Sequence, residues 1–274
     1  MYNILKFLVF LLISSNVLAE TAENYVFRYD ITSFLSLVPK NFRIIGPSDI
    51  LPNLEAPVSA SGQFSERQLL YVKDLASKRN KQLVIIDLRG EPHGFINGLP
   101  VLLVAKKFGE TVQIDKSKIL GKKVKIYFRD SKEYTEVLVK EFWTEEELAR
   151  KHDIEYISIK VRDLHKPHIS MVKQFVDYLN DIPKNHWVHI HCRAGKGRTT
   201  TFLMIYTILN YSQDFTLEQM IAHHRIMGGV DLSVDTAMQK ERIYRELALE
   251  RAIFINNLFY ELKKQEINGL KDDY

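Results

Sequence analysis

One joint in this chain limits its fold more than any other feature. An apolar strand runs into a cysteine, a glycine-rich turn and then a strongly apolar helix. Trp187 to His191 reads as the strand, and Thr199 to Leu209 as the helix. Between them lies His189-Ile190-His191-Cys192-Arg193-Ala194-Gly195-Lys196-Gly197-Arg198-Thr199. Gly195 and Gly197 let the backbone turn so that successive N–H groups point inward, which makes a nest for phosphate oxygens. The helix that follows turns its positive end toward the same spot. Arg198, six positions after Cys192, adds a planar fork that matches two phosphate oxygens, which a lysine could not do. A cysteine at a helix N-terminus beside such donors is in the setting that favours a thiolate. A thiolate in line with phosphorus can attack it and form a covalent intermediate. Thr199 is expected to hydrogen-bond the sulfur and help it leave. The nest and Arg198 neutralise the equatorial oxygens, so no metal and no cofactor is expected.

Such chemistry also needs an acid for the leaving alkoxide. Asp163, in Val161-Arg162-Asp163-Leu164-His165-Lys166-Pro167, lies in a polar loop between a strand and a helix. The competing reading is a helix-capping or surface aspartate.

Around this joint the pattern is that of an α/β chain. Leu83 to Leu88 is an apolar, β-branched run suited to a buried parallel strand. Ser65, Thr144 and Thr216 each open a capping box ahead of a helix. Ile154 to Ile159 reads as a strand, and Ile169 to Leu179 as an amphipathic helix with Ile169, Val172, Phe175, Val176 and Leu179 on one face. Residues 20–57 read as extended and irregular, punctuated by Pro39, Pro47, Pro52 and Pro57. Between Pro100 and Phe142, short apolar stretches alternate with Lys, Asp and Gly, the pattern of a small antiparallel β unit. The expected organisation is a core of residues 20–97 and 151–274 with an inserted β unit at 98–150. Thr236 to Lys264 reads as one long helix or two with a break, and Asn268 to Tyr274 as a frayed tail.

The single cysteine cannot form an internal disulfide, so it is either inert or reactive. Residues 1–19 have the layout of an export signal: Lys6, the apolar run Phe7 to Ile13, then Val17-Leu18-Ala19 before Glu20. That run is too short to span a membrane, so export without a stable anchor is expected, to the periplasm or the medium. The formal charge is +4, and losing Lys6 leaves 37 basic (38 less one) against 34 acidic residues. That mild excess does not point to nucleic acid.

HCRAGKGRT resembles the signature loop of the protein-tyrosine-phosphatase superfamily. More narrowly, three blocks resemble the phytase-like cysteine phosphatases, also called tyrosine-phosphatase-like inositol polyphosphatases. They are Asp87 to Val101 (DLRGEPHGFINGLPV), VRDLHKP and HCRAGKGRTTTF. Weaker blocks flank them at Pro39 to Arg43 and Gly228 to Leu232. The resemblance implies a tyrosine-phosphatase α/β core, a parallel-rich sheet flanked by helices, with a small partial β-barrel inserted before the acid loop. It implies Asp163 as general acid and His191 as a residue that holds the loop's shape. The implied substrates are myo-inositol hexakisphosphate and lower inositol phosphates. Arg193 and Lys196, with the loop residues Ala194, Gly195 and Gly197, are expected at the substrate, as are Arg43, Arg89 and His93 at peripheral phosphates. The chain departs from the family in Leu164 after Asp163, where many relatives carry His, and in Pro92. Two readings stay open beside this one: a secreted phosphatase for phosphoinositides or phosphotyrosine, and a non-catalytic phosphate-binding module. Adjacent His223 and His224 lack the spacing of a metal pair.

Overall fold

The structure, a computed structural model, describes residues 24–30, 36–128 and 131–272, with side-chain surroundings up to residue 264. The export signal read at residues 1–19 lies outside the described residues.

In chain order the strands are β1 (Tyr25–Tyr29), β2 (Arg43–Ile45), β3 (Val58–Ser61), β4 (Gln82–Arg89), β5 (His93–Ile96), β6 (Leu99–Ala105), β7 (Lys123–Tyr127), β8 (Tyr134–Leu138), β9 (Phe142–Trp143), β10 (Glu155–Val161) and β11 (His186–His191). The helices are α1 (Glu66–Ser77), α2 (Glu145–Lys151), α3 (Ile169–Asp181), α4 (Gly197–Tyr211), α5 (Leu217–Ile226), α6 (Val234–Met238) and α7 (Arg242–Asp272).

The strands form two sheets. The first has the order β10-β4-β11-β3-β2. Its four longer strands are parallel and only β2 runs against them. This is the fold class the sequence implies, an α/β core with a parallel-rich sheet flanked by helices. β4 is buried along both faces, and its alternation shows why. Val84, Ile86 and Leu88 face a core shared with α3, α4, α5 and α7. Leu83 and Ile85 face the opposite core under α1 and α2. Both faces are therefore apolar, as a covered parallel strand requires. β11 alternates likewise, with Val188, Ile190 and Cys192 on the first side and Trp187 on the other. A parallel sheet gathers strand ends at one edge, and loops at the carboxyl edge form the usual crevice. Cys192 follows the central strand at that edge.

All three capping boxes form: Ser65 caps α1, Thr144 caps α2 and Thr216 caps α5. In α3, Val172 and Phe175 are buried as expected, but Ile169 is 64% exposed at the first turn, before the helix reaches the core. The carboxy-terminal helix breaks after Met238, and α7 continues through Asp272, so the expected frayed tail is largely helical.

The second sheet has the order β8-β7-β1-β6-β5-β9. Here the expected boundaries do not match the structure. The unit read as 98–150 also takes in β5, and it takes β1 from a segment read as irregular. β1 sits between β6 and β7, antiparallel to the first and parallel to the second. Its pattern is an ordinary alternation, Tyr25, Phe27 and Tyr29 inward. Its partners lie more than 70 residues away in sequence, which is why local patterning missed the pairing. β2 likewise forms within the segment read as irregular.

Candidate active site

The turn from Cys192 to Gly197 is built by its carbonyls. The Gln63 N–H donates to Arg193 O at 3.0 Å. Asn41 Nδ2 donates to Ala194 O at 2.8 Å, and Arg43 to Gly195 O at 2.8 Å. The carbonyls are thus tied outward. None of the N–H groups of residues 193–196 donates to a backbone carbonyl among the described residues. Unpaired backbone donors are costly when buried, so a ring of them is an anion cradle. Gly195 holds φ +68. A Cβ there would meet Gly62 N at 2.3 Å, so β3 and the turn approach as closely as glycine allows. α4 begins at Gly197 with no side-chain cap and aims its free N-terminus at the cradle.

Cys192 is buried and unbonded to any other cysteine. Arg198 is buried beside it. Its Nη1 and Nη2 bond the two carboxylate oxygens of Glu91 at 2.7 and 3.0 Å. Nη1 also donates to Val161 O at 3.1 Å. Arg198 Nε is buried with no hydrogen-bond partner among the described residues. Burial works to raise the Glu91 carboxyl, but the Arg198 hydrogen bond and the charges of Arg89 and Arg198 pull it down to about 2. Glu91 therefore stays ionised and sets the orientation of the arginine. Sequence reasoning missed it, although it lies inside a quoted block; only the fold shows that it reaches Arg198.

Asp163 joins the site from the loop after β10. Its Oδ1 lies 3.1 Å from Arg198 Nη2, and its side chain is 61% exposed. His165, one position late for the family pattern, turns its Nδ1 back to Asp163 O at 2.8 Å. A cavity of about 510 Å³ opens beside the turn, lined by Glu91, Leu102, Lys160, Arg162, Asp163 and Arg193.

Several expected roles need correction. Thr199 Oγ1 is buried but has no hydrogen-bond partner among the described residues, so the expected bond to the sulfur is not formed here. His191 bonds no loop carbonyl; its Nε2 lies 2.6 Å from Glu145 Oε1, behind the turn. Arg43 is no peripheral contact. It is buried, and it bonds Asn41 O, Gly195 O and Thr200 Oγ1, bracing the turn. Burial lowers its pKa to about 10. Arg89 is fully buried, in ion pairs with Asp30 and Glu91. His93 sits in a pocket of carboxylates, 3.1 Å from Glu145 and 3.4 Å from Asp87. A single sequence does not show which cations are enclosed, so these three were expected at peripheral phosphates. Arg193 does line the cavity, and its Nε is held by Asp30 at 2.8 Å. Lys196 Nζ bonds Gly228 O at 2.5 Å, on the other side of the turn.

Asp87, His93 and Glu145 bring one metal-ligating atom each within 4.8 Å of one another. Their oxygens are already engaged. Tyr156 and the Arg89 N–H donate to Asp87, and Gln63 to Glu145. Burial and Arg89 work to lower the His93 pKa, but the bonds and charges of Asp87 and Glu145 raise it to about 9. The two carboxylates thus favour the protonated form of His93. His189 is buried, with its ring nitrogens against the hydroxyls of Ser59 and Ser61.

A cysteine and an arginine flanking an N–H cradle, between a central parallel strand and an apolar helix, are the marks of the protein-tyrosine-phosphatase class. Comparison with known proteins agrees. Residues 101–210 match the PTP-like phytase family, described as "Inositol hexakisphosphate". The PTP-like myo-inositol phosphatase of Mitsuokella multacida, solved with myo-inositol-(1,3,4,5)-tetrakisphosphate, is 26% identical with a TM-score of 0.72. The match covers 89% of this chain and 46% of that one. A PTP-like phytase from Bdellovibrio bacteriovorus is 27% identical with a TM-score of 0.66, over 88% of this chain and 89% of that one. The "Tyrosine-protein phosphatase CDC14 homolog" of Schizosaccharomyces pombe is 32% identical over 85 residues, 29% of this chain and 16% of that protein. The chain is therefore similar, over residues 101–210 in sequence and over most of its length in structure, to the PTP-like phytases. It spans under half of the Mitsuokella chain and a small part of the yeast relative.

Proposed function

We propose that this protein hydrolyses phosphomonoesters of myo-inositol hexakisphosphate and lower inositol polyphosphates through a phosphocysteine at Cys192. The observation that carries this is the preset arginine: Glu91 holds two nitrogens of Arg198, whose Nε has no hydrogen-bond partner among the described residues, beside a turn whose N–H groups donate to no backbone carbonyl among those residues. Donors fixed before the substrate arrives need no reorganisation as charge develops.

The Cys192 thiolate attacks phosphorus as the bond to the inositol oxygen breaks. Asp163 in its acid form gives its proton to that oxygen. Water then attacks the phosphocysteine, Asp163 takes the water's proton, and the sulfur leaves as thiolate. The free Thr199 hydroxyl is available to donate to the sulfur at that point. Arg193, Lys160 and Arg162 line the adjoining cavity with positive charge, which suits a ligand with several phosphates. The family match and the ligand of the Mitsuokella protein support the same substrate class. Export, read from residues 1–19, belongs to this proposal; the amino-terminal sequence of the mature protein tests it.

The similarity to a tyrosine-protein phosphatase supports a second reading, in which a phosphoinositide or phosphotyrosine is the substrate. The deciding measurement is phosphate release without added metal from hexakisphosphate, phosphoinositide vesicles and a phosphotyrosine peptide. We expect hexakisphosphate to be preferred and Cys192→Ser to be inactive but still able to bind. A lipid or peptide preference would overturn the substrate claim. Binding without turnover by the wild type would overturn catalysis. Asp163→Asn is expected to lower kcat on hexakisphosphate by about 10²- to 10⁴-fold.

A further inference from the structure

Helix α7 passes the phosphate turn and lays Arg251 against it. The arginine is 8% exposed. Its Nη2 donates to the main-chain carbonyl of Leu164, the residue after Asp163. No other group among the described residues bonds that carbonyl. On its other side the guanidinium meets Gly197, where a Cβ would lie 2.8 Å from Nη1. One side chain therefore touches both the acid loop and the start of α4. The acid loop needs such a hold. Leu164 has φ +66, a conformation that bulky residues avoid unless their surroundings impose it. Among the described residues the Asp163 carboxyl is fastened only by the Leu164 N–H at 3.0 Å and by Arg198 at 3.1 Å.

We propose that Arg251 is a positioning residue for the acid step: it pins the Leu164 carbonyl and so holds the Asp163 carboxyl over the phosphate turn. The proposal rests on the reading of Asp163 as the acid. Burial lowers the Arg251 pKa, and the charges of Asp163 and Cys192 partly oppose that shift. A donor that touches no reacting atom acts through geometry, and a displacement of about 1 Å can cost about 100-fold in rate.

The test compares two leaving groups in the full protein. The inositol oxygen needs a proton to leave; the nitrophenolate of p-nitrophenyl phosphate does not. Arg251→Gln is expected to lower kcat on hexakisphosphate by about 10- to 100-fold and to lower p-nitrophenyl phosphate turnover far less. It should also weaken the alkaline limb of the kcat pH profile, which reports the protonated acid. Arg251→Lys, which can still reach one carbonyl, should recover part of the loss, and it serves if the Gln variant does not fold. Added to Asp163→Asn, the Arg251 change should cost little more, because both remove one function. Equal losses on both substrates, or none on either, would overturn the proposal. If Asp163→Asn shows no selective loss on hexakisphosphate, the acid assignment fails first and takes this inference with it; if it does and Arg251→Gln does not, only the role of Arg251 fails.

Discussion

Gly195 and Gly109 both hold positive φ, +68 and +83, yet their surroundings differ. A Cβ at Gly109 meets nothing within 4 Å. A Cβ at Gly195 would fall 2.3 Å from Gly62 N and 2.4 Å from the Ser61 carbonyl carbon. Backbone cannot rotate away as a side-chain tip can, so β3 or the turn must move. Gly109→Ala should therefore cost only the left-handed penalty, about 1 kcal/mol. Gly195→Ala should cost clearly more and should also weaken phosphate binding. Paired melting curves and a phosphate titration check this; equal costs for the two variants would mean the close approach is relieved cheaply. Cys192, Gly195 and Arg198 were legible in the sequence because their roles follow from chain-local spacing. Arg43, Arg89 and His93 were recognised as candidates but misassigned, since enclosure is not a local property.

Among the secondary-structure elements, β4, β5, β11 and the first turn of α2 each send one group into the space behind the turn: Asp87, His93, His191 and Glu145. Glu145 looked like an ordinary helix-start acid, yet it is buried and ion-paired to both histidines. The His93 pKa in the folded chain, about 9, lies above its unfolded value near 6.5. Its stabilisation is therefore fully present below about pH 6.5 and is lost as pH rises through 9. Glu91 has the opposite sign. Its pKa of about 2 lies below the usual 4.5, so its contribution is present above 4.5 and lost toward 2. Chemical denaturation of wild type should show stability falling between pH 6.5 and 9. His93→Gln should be less stable at pH 6 and should show a flatter alkaline slope. An unchanged slope would mean that His93 is neutral in the folded chain.

Over the whole molecule, Asp30 joins the two sheets. It directly follows β1 of the second sheet, and it pairs with Arg89 at the end of β4 and with Arg193 in the phosphate turn. Removing one member of a buried pair leaves the other charge uncompensated, at a cost of about 3–5 kcal/mol. Asp30→Asn is expected to fall in that range and to weaken binding of the polyphosphate, because Arg193 loses its anchor. The exposed pair Lys173–Asp177 is the control; Asp177→Asn should cost less than about 1 kcal/mol. Similar losses for the two variants would mean that the sheets are not coupled through Asp30.

The strand–turn–helix joint, the nucleophile and arginine candidates, the caps and the parallel-rich core were legible from the residue order. These depend on side-chain periodicity and on spacings of a few residues, which a chain carries wherever it folds. Only the tertiary structure decided that β1 completes the second sheet, that Glu91 orients Arg198, that Arg43 braces the turn and that Arg251 reaches the acid loop. Those contacts, β1 with its sheet neighbours aside, join residues 87 to 152 positions apart. The physical reason is burial. A cation removed from water must find its partners inside, and the packing of distant elements decides which groups lie within reach.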